Sequence, residues 1–316
     1  MTEPVVSVVI PFHEGSPEFL TRAIRSVQLQ TYRPLEVYVV DDGSRLAFGG
    51  IEQDFGDLVV RWTQLHRNRG VAEARNTGIR ASAGRYVAFL DADDWWEPKK
   101  MEEQIGAMIS GDWKWCYCSV IAHTPFGLVE MRATHEGDIS NDILRSQIVT
   151  GSCSSVVVDR QVLDTVGLFA TDEVTEDWDL WIRLSKVYPI ACVDKALVNV
   201  QAQISGGRSS QVERRLRRSE RTLEKHESEL RTRAVYQDAW ARHYRTLGRQ
   251  FLRTGAPLRA LHLWLKIPRY SLRAIPWLWL VVAIGAVALP AVPGKVEALR
   301  TRQRIRRSKD SSTNSP

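Results

Sequence analysis

Three carboxylates lie within four residues of one another, at Asp91, Asp93 and Asp94. They follow residues 86–90, an apolar stretch typical of a buried strand. In an extended chain the side chains of Asp91 and Asp93 point to the same side. Carboxylates that close repel each other, and burying them costs several kcal/mol each unless a cation compensates.

A divalent cation resolves this conflict. Mg²⁺ and Mn²⁺ commonly take one or two protein carboxylates and complete their coordination with water and substrate phosphates. The spacing therefore favours a site for Mg²⁺ or Mn²⁺ and a diphosphate, held by Asp93 with Asp91 assisting. The alternative is a plain acidic turn, since Asp is common in turns and helix caps, and these few residues do not decide between the two.

The elements that must position these residues are indicated by their apolar patterns. Apolar runs predict four strands and helical spacing predicts two helices, in the order Val5–Ile10, Phe19–Leu29, Leu35–Val40, Val59–Leu65, Val71–Ser82 and Tyr86–Leu90. Strands alternating with helices over short connections predict an α/β fold with a mostly parallel, right-handed sheet.

Polar residues cluster where these predicted strands end, and ligands bind at the carboxyl ends of strands in such sheets. The clustered residues are His13, Glu14, Asp41, Asp42, Asp91 and Asp93. This coincidence favours a nucleotide site. No Gly-x-Gly-x-x-Gly follows the first strand, which argues against a dinucleotide dehydrogenase, and the absence of Gly-Lys-Ser/Thr excludes a P-loop.

Four blocks in register resemble the family 2 glycosyltransferases, namely Val8–Glu14, Val39–Ser44, Gly70–Gly78 and Phe89–Asp94. The resemblance covers roughly residues 5–205. It implies the A-type glycosyltransferase fold, in which a Rossmann-like sheet is fused to an acceptor-binding half.

The resemblance also implies site roles, with a nucleotide-diphosphate sugar as donor and Mn²⁺ or Mg²⁺ as cofactor. The implied metal ligands are Asp93 and Asp91, and the implied donor contacts are Pro11, His13, Glu14, Asp41, Asp42, Arg75, Asp91 and Ala92. His13-Glu14 departs from the usual family pattern, so which side chain reaches the nucleoside there stays open. Independently, a carboxylate can accept base N–H groups, and an arginine can bind a diphosphate bidentately.

A second chemical landmark is the segment Thr175–Trp181. Thr175 or Asp177 could cap a helix running to Val187, where acids are favoured by the helix dipole. The resemblance instead matches Asp177 to the catalytic base of an inverting transfer, which takes the proton of the acceptor hydroxyl.

Three residues are weaker candidates for acceptor contacts: Glu176, Trp178 and Ser154. Trp178 is suited either to sugar stacking or to core packing, whereas the position of Trp181 favours the core. The small-residue stretch 151–155, which contains Ser154, either lines an acceptor groove or forms a plain turn.

Charge is distributed unevenly along the 316 residues. Residues 1–205 carry 19 Lys/Arg and 29 Asp/Glu, whereas residues 206–316 carry 24 and 8. The basic half suits anionic lipid, and no nucleic-acid-binding signature is present. The four cysteines match no metal motif, which predicts reduced thiols of a cytosolic domain, and no signal peptide is expected.

The carboxyl-terminal region has three patterns. Residues 211–233 are densely charged, which predicts a solvated helix or a linker, and residues 234–267 predict a helical pair broken at Gly255-Ala256-Pro257. Residues 274–294 contain no charged side chain and are long enough to span a bilayer, with basic flanks on both sides. Basic flanks on both sides favour a re-entrant or in-plane helix at the cytoplasmic face over a span.

These patterns predict a catalytic domain over residues 1–205, divided at residue 97 into a donor half and an acceptor half. A charged, helical region (206–273), a membrane-associating segment (274–294) and a basic tail (295–316) follow. The predicted function is metal-dependent, inverting transfer of a sugar to a hydroxyl of a lipid-linked or cell-surface glycan precursor. Transfer to a polyprenyl phosphate and a non-catalytic membrane scaffold are the alternatives. The base and sugar of the donor, the identity and linkage of the acceptor, and the oligomeric state are not predicted.

Overall fold

The computed structural model describes residues 5–45, 54–124, 127–172, 174–201 and 209–267. The strands are β1 (Val6–Phe12), β2 (Leu35–Asp41), β3 (Val59–Gln64), β4 (Tyr86–Phe89), β5 (Trp95–Trp96), β6 (Trp115–Thr124), β7 (Gly127–Met131), β8 (Val156–Asp159) and β9 (Ala191–Gln201). The helices are α1 (Pro17–Gln28), α2 (Val71–Ala81), α3 (Lys100–Ser110), α4 (Ser140–Arg145), α5 (Arg160–Val166), α6 (Glu176–Ser185), α7 (Ser209–Lys225), α8 (Glu227–Thr232), α9 (Tyr236–Arg253) and α10 (Pro257–Lys266).

The strands form one mixed sheet in the order β3-β2-β1-β4-β8-β6-β9-β5, with β7 paired to β6. The pairs among β1 to β4 are parallel, as predicted for the amino-terminal half. The expectation of a mostly parallel sheet is wrong for the other half, where only β6 and β9 pair in parallel. There β8 runs antiparallel to both of its neighbours and joins the two halves, and β5 and β7 pair antiparallel with β9 and β6.

The central strands are buried on both faces, as their unbroken apolar runs predict. Every residue of β1 is buried. On one face, Gly78 of α2 lies so close to β1 that a Cβ atom there would stand 2.5 Å from a methyl carbon of Val9. This glycine allows α2 to approach the sheet and fixes where the helix begins relative to the ends of β1 and β4.

The carboxyl-terminal half of the sheet is anchored by aromatic packing around Trp181, which is 1% exposed. Its ring stacks on Trp115 with centroids 5.8 Å apart, and it also packs against Phe89 and Phe169. The core position predicted for Trp181 is therefore confirmed. Because Phe89 ends β4 and Trp181 lies in α6, this contact holds α6 against the acidic segment.

The charged stretch after residue 208 is helical, but it is not a solvated linker. Val212, Leu216, Leu223 and Leu230 are buried in the same apolar cluster as Trp178 and Trp181. The apolar face of α7 thus packs on the core of the sheet domain. The helical pair α9–α10 is confirmed, with its break at Gly255-Ala256-Pro257.

Across the residues that the structure describes, no helix is both long enough and apolar enough to cross a membrane. The uncharged segment 274–294 lies outside those residues. All four cysteines are free thiols, as expected, and Cys116, Cys118 and Cys153 are buried.

Candidate functional site

A cavity of about 480 Å³ opens at the carboxyl ends of β1 and β4. It is lined by Pro11, Phe12, His13, Gly15, Ser16, Phe19, Val71, Arg75, Asp91, Ala92 and Asp93. Five of the predicted donor contacts and both predicted metal ligands therefore lie around one space. We call it the donor cavity.

The acidic segment is a turn rather than an extended strand, because the N–H of Asp94 donates to the carbonyl of Asp91 at 3.0 Å. Asp91 and Asp93 nevertheless both line the donor cavity. The third carboxylate is directed elsewhere: Asp94 is 1% exposed and accepts hydrogen bonds from the hydroxyls of Ser152 and Ser154 at 2.7 and 2.6 Å. Burial, and then the charge of Asp91, raises the pKa of Asp94 to about 7.

The turn is held from the side by Arg22 of α1. Its Nη2 donates to the carbonyl oxygen of Asp93 at 2.7 Å, and its guanidinium lies 3.8 Å from the ring centroid of Trp95. Arg22 thereby orients the backbone on which the proposed metal ligand sits. The sequence gives no signal for this contact, because it joins residues 71 positions apart.

Arg75 connects the donor cavity to the start of α6. Its side chain is 5% exposed, and Nη2 lies 2.7 Å from Oδ1 of Asp91 while Nη1 lies 3.1 Å from Oε1 of Glu176. A buried guanidinium requires such partners, since an unpaired buried charge is strongly unfavourable. Arg75 thus pairs with two of the predicted carboxylates, although the sequence assigned this arginine only to the donor.

Asp177, next to Glu176, is half-buried. Its Oδ1 accepts a hydrogen bond from the N–H of Trp178 at 2.6 Å, and its Oδ2 accepts one from Nε2 of Gln147 at 3.1 Å. The first bond satisfies a helix-start donor from within the first turn, but Thr175, the residue at the N-cap, makes no side-chain capping hydrogen bond. Burial, and then the neighbouring charge of Glu176, raises the pKa of Asp177 to about 6, while Arg75 opposes the shift. A carboxyl with this pKa is suited to exchanging protons near neutral pH.

Glu14, Asp41 and Asp42 do not line the donor cavity but join the loops beside it. Asp41 is buried and accepts bonds from the N–H and hydroxyl of Ser44. Asp42 accepts the N–H groups of Arg69 and Gly70 at 2.7 and 2.8 Å, which ties the end of β2 to the start of α2. Their contact with a nucleoside stays a prediction.

Glu14 adopts a left-handed backbone, with φ of 47°. Its Oε1 accepts the N–H of Arg45 at 3.0 Å, and its own N–H donates to the hydroxyl of Ser44. The exposed residue beside it, His13, lines the cavity. Of the His13-Glu14 pair, whose assignment the sequence leaves open, His13 is thus the residue that faces the donor cavity.

All three weak acceptor candidates are buried, including Glu176, which pairs with Arg75. Ser154 has no exposed surface, and its hydroxyl accepts the N–H of Asp91 at 2.9 Å while donating to Asp94. Trp178 is 5% exposed, and its ring N–H donates to the carbonyl of Ile143. In this structure both side chains support the site from behind, and neither reaches an open surface.

The side chains at the turn fit a magnesium or manganese ion. Asp91 and Asp93 supply carboxylate oxygens at the edge of a cavity large enough for phosphate and water to complete the coordination. Among the residues described, no group of three or more His, Cys, Asp or Glu is arranged to hold a metal alone.

Comparison with known proteins bears on the family and the fold. Residues 7–166 match the profile described as glycosyl transferase family 2, which confirms the resemblance. An uncharacterised glycosyltransferase of Rickettsia typhi is 29% identical over 202 residues, and the alignment covers 58% of this chain but only 61% of that relative. WfgD of Escherichia coli, named a UDP-Glc:alpha-D-GlcNAc-diphosphoundecaprenol beta-1,3-glucosyltransferase, is 26% identical over 205 residues, covering 65% of this chain and 79% of WfgD.

The fold is shared with a solved structure, the mannosyltransferase PcManGT of Pyrobaculum calidifontis in complex with GDP-Man and Mn²⁺. The TM-score is 0.60 at 18% identity, and the match covers 96% of this chain and 86% of that one. This likeness confirms the expected A-type glycosyltransferase architecture.

Replacing Arg75 with methionine should lower the free energy of unfolding by about 3 kcal/mol or more, because two largely buried carboxylates lose their partner. The matched control is Arg80→Met, on the same helix, whose side chain is 55% exposed and pairs with Glu73. That change should cost less than about 1 kcal/mol. Urea unfolding measures both, and equal losses for the two variants would show that the Arg75 pairs are not important for stability.

Proposed function

The chain belongs to glycosyl transferase family 2, and from that membership we propose that it transfers a sugar, with inversion, from a nucleotide-diphosphate sugar to a hydroxyl acceptor. One observation carries the proposal. Arg75 pairs at once with Asp91, at the edge of the donor cavity, and with Glu176, beside Asp177. This arginine thereby links the acidic turn at the donor cavity to the segment that contains Asp177, the carboxyl whose pKa is raised.

We assign the donor to the cavity at the ends of β1 and β4. The diphosphate would lie near Asp91 and Asp93, where Mn²⁺ or Mg²⁺ would neutralise the charge of the departing diphosphate. Arg75 would hold Asp91 in place through their ion pair. The solved complex of PcManGT with GDP-Man and Mn²⁺ supports a nucleotide sugar and a divalent ion as the ligand class.

We assign the role of general base to Asp177. Its two hydrogen bonds, from Trp178 and Gln147, fix the orientation of the carboxylate. A base with a pKa of about 6 is largely ionised at neutral pH yet still basic enough to accept a proton from an attacking hydroxyl. Attack by that hydroxyl on the anomeric carbon from the side opposite the diphosphate inverts the configuration.

We further propose a lipid-linked or cell-surface glycan precursor as the acceptor, at the cytoplasmic face of the membrane. The name of WfgD gives a diphosphoundecaprenol-linked sugar as the acceptor of that relative, which supports this class. Attachment would use the uncharged segment 274–294 and its basic flanks.

The metal assignment predicts that nucleoside diphosphates bind more weakly when the ion or its ligand is removed. Titration calorimetry with UDP, GDP, CDP and dTDP, in Mn²⁺ or in chelator, tests this. For the nucleotide that binds, chelation or Asp93→Ala should each raise Kd on the order of tenfold, equivalent to about 1.4 kcal/mol. Asp164→Ala, an exposed carboxylate on α5, is the control. Equal affinity with and without the ion contradicts the metal role.

The base assignment predicts that Asp177→Asn retains nucleotide binding but transfers sugar about 10²–10⁴-fold more slowly. The pH dependence has a definite sign. Asp177 acts ionised, so kcat/KM of the unmodified chain should rise with pH and reach half its plateau near pH 6, the pKa of this carboxyl. Initial rates across pH 5–8 measure the effect, with Asp164→Asn as the control. Unchanged turnover in Asp177→Asn would instead favour a phosphate acceptor, which needs no base.

The membrane assignment predicts that a chain lacking residues 274–316 fractionates as a soluble protein, whereas the full chain stays with membranes in high salt. Apolar burial survives high salt, but attachment through basic residues alone is screened. Cell fractionation at low and high ionic strength distinguishes them. Full-length protein found in the soluble fraction overturns the assignment.

A further inference from the structure

A second cavity, of about 710 Å³, lies beside the donor cavity and is strongly basic. Five arginines line it together with one carboxylate, namely Arg69, Arg214, Arg217, Arg218, Arg221 and Asp172. Val71 lines both cavities, so the two are neighbours at the start of α2. We call this space the arginine cavity. Nothing in the donor or base assignments uses it.

Four of the five arginines come from α7, at Arg214, Arg217, Arg218 and Arg221. Their spacing of three, four and seven residues puts them on one side of the helix. Like charges at this spacing destabilise a helix, and side-chain carboxylates or a bound anion must offset them. A group of arginines gathered at a concave surface is therefore expected to have an anionic counterpart.

The carboxylates of the described residues offset only part of this charge. Arg218 pairs with Glu176 at 2.6 Å, and Arg69 lies 3.7 Å from Glu73. The lining carboxylate, Asp172, lies 3.4 Å from Lys225 rather than from a lining arginine. Within the described parts of the chain, no ion pair is formed by Arg214 or Arg217.

The chemistry of the lining selects phosphate among common anions. Guanidinium groups present a planar fork of N–H donors that matches phosphate oxygens, and several of them together suit a doubly charged group. Val71 and Ala72, in the first turn of α2, also line this cavity, and the start of a helix favours anions.

Position relates this cavity to the reaction. Glu176 binds Arg75 through Oε1 and Arg218 through Oε2, so one carboxylate connects the two cavities. Asp177, the proposed base, is its neighbour in the chain. An anion held by the arginines would thus be linked through Glu176 to the segment of the proposed base, without occupying the donor cavity.

We propose that the arginine cavity binds a phosphate or diphosphate group carried by the acceptor. The inference rests on the proposed transfer reaction and specifies the acceptor: its reacting hydroxyl lies near Asp177 while its own phosphate is held by α7. The phosphate does not react, and it serves as the handle that selects acceptors of this class.

Inorganic pyrophosphate is the probe for this cavity, used with the full-length chain. Titration calorimetry should show binding that weakens about tenfold or more in Arg214→Ala/Arg217→Ala, which loses two charged hydrogen-bond donors. The matched control is Arg215→Ala/Arg259→Ala, an equal loss of charge at exposed positions outside the cavity. That control should bind as the unmodified chain does.

Two further measurements keep the outcome clear. If the double alanine variant fails to fold, Arg214→Lys/Arg217→Lys takes its place. It retains the charge but loses the planar guanidinium donors, so it should bind pyrophosphate with intermediate affinity. Nucleoside diphosphate binding is measured in the same variants. It should be unchanged by the arginine substitutions, whereas Asp93→Ala should weaken it and leave the arginine-dependent pyrophosphate binding intact.

These results separate the two proposals. If the chain binds no nucleoside diphosphate, the proposed transfer reaction is contradicted. Arginine-dependent pyrophosphate binding can still be observed in that case. The proposed phosphate site is overturned if pyrophosphate binds equally well to Arg214→Ala/Arg217→Ala (the cavity pair) and to Arg215→Ala/Arg259→Ala (the control pair). The phosphate site is also overturned if Arg214→Ala/Arg217→Ala weakens nucleoside diphosphate binding as much as pyrophosphate binding, because the arginines would then serve the donor.

The source of the phosphate is resolved with vesicles. Phosphatidylcholine vesicles containing undecaprenyl diphosphate are compared with vesicles of the same charge containing phosphatidylglycerol. Stronger flotation with the diphosphate lipid, lost in the cavity pair and retained in the control pair, identifies a lipid-linked phosphate. Equal flotation together with arginine-dependent pyrophosphate binding identifies a soluble phosphate-bearing acceptor.

Discussion

The buried guanidinium of Arg75 is the interaction on which the site depends. Removing an arginine from water is costly, and the cost is offset only when good hydrogen bonds replace the lost hydration. Arg75 obtains them from Asp91 and Glu176, which lie 16 and 101 positions away in the chain. The end of β4 and the start of α6 therefore cannot move apart without exposing an unpaired buried charge, and this constraint keeps the donor cavity and Asp177 in register.

Local patterns predicted the elements that carry the site, because each element has its own apolar period. The end of β1, the end of β2 and the start of α2 fell within a few residues of the expected positions. Carboxyl-end clustering also brought His13, Asp91 and Asp93 correctly to one cavity, although Glu14, Asp41 and Asp42 do not line it. These expectations succeed because parallel strands that neighbour one another must present the same ends to the same edge of a sheet.

The partners of the site residues could not be predicted, since they depend on how distant elements pack. Neither the contact of Arg22 with Asp93 nor the pairing of Arg75 with Glu176 has a signal in the local pattern. The same applies to the antiparallel β8, which makes the sheet mixed. On α7 a signal was present, since Val212, Leu216 and Leu223 recur at helical spacing, but the density of charge between them suggested a solvated face.

The two faces of α7 give this helix a double role that neither composition nor charge alone indicates. Its apolar face is part of the catalytic core, so its position is fixed relative to α6 and the base. Its arginines are consequently held at a defined place rather than displayed on a flexible arm. An anion bound there would draw on Arg218, leaving Glu176 to depend more on Arg75. Acceptor binding and the geometry of Asp91 in the donor cavity would then be coupled through a single carboxylate, because both arginines share it.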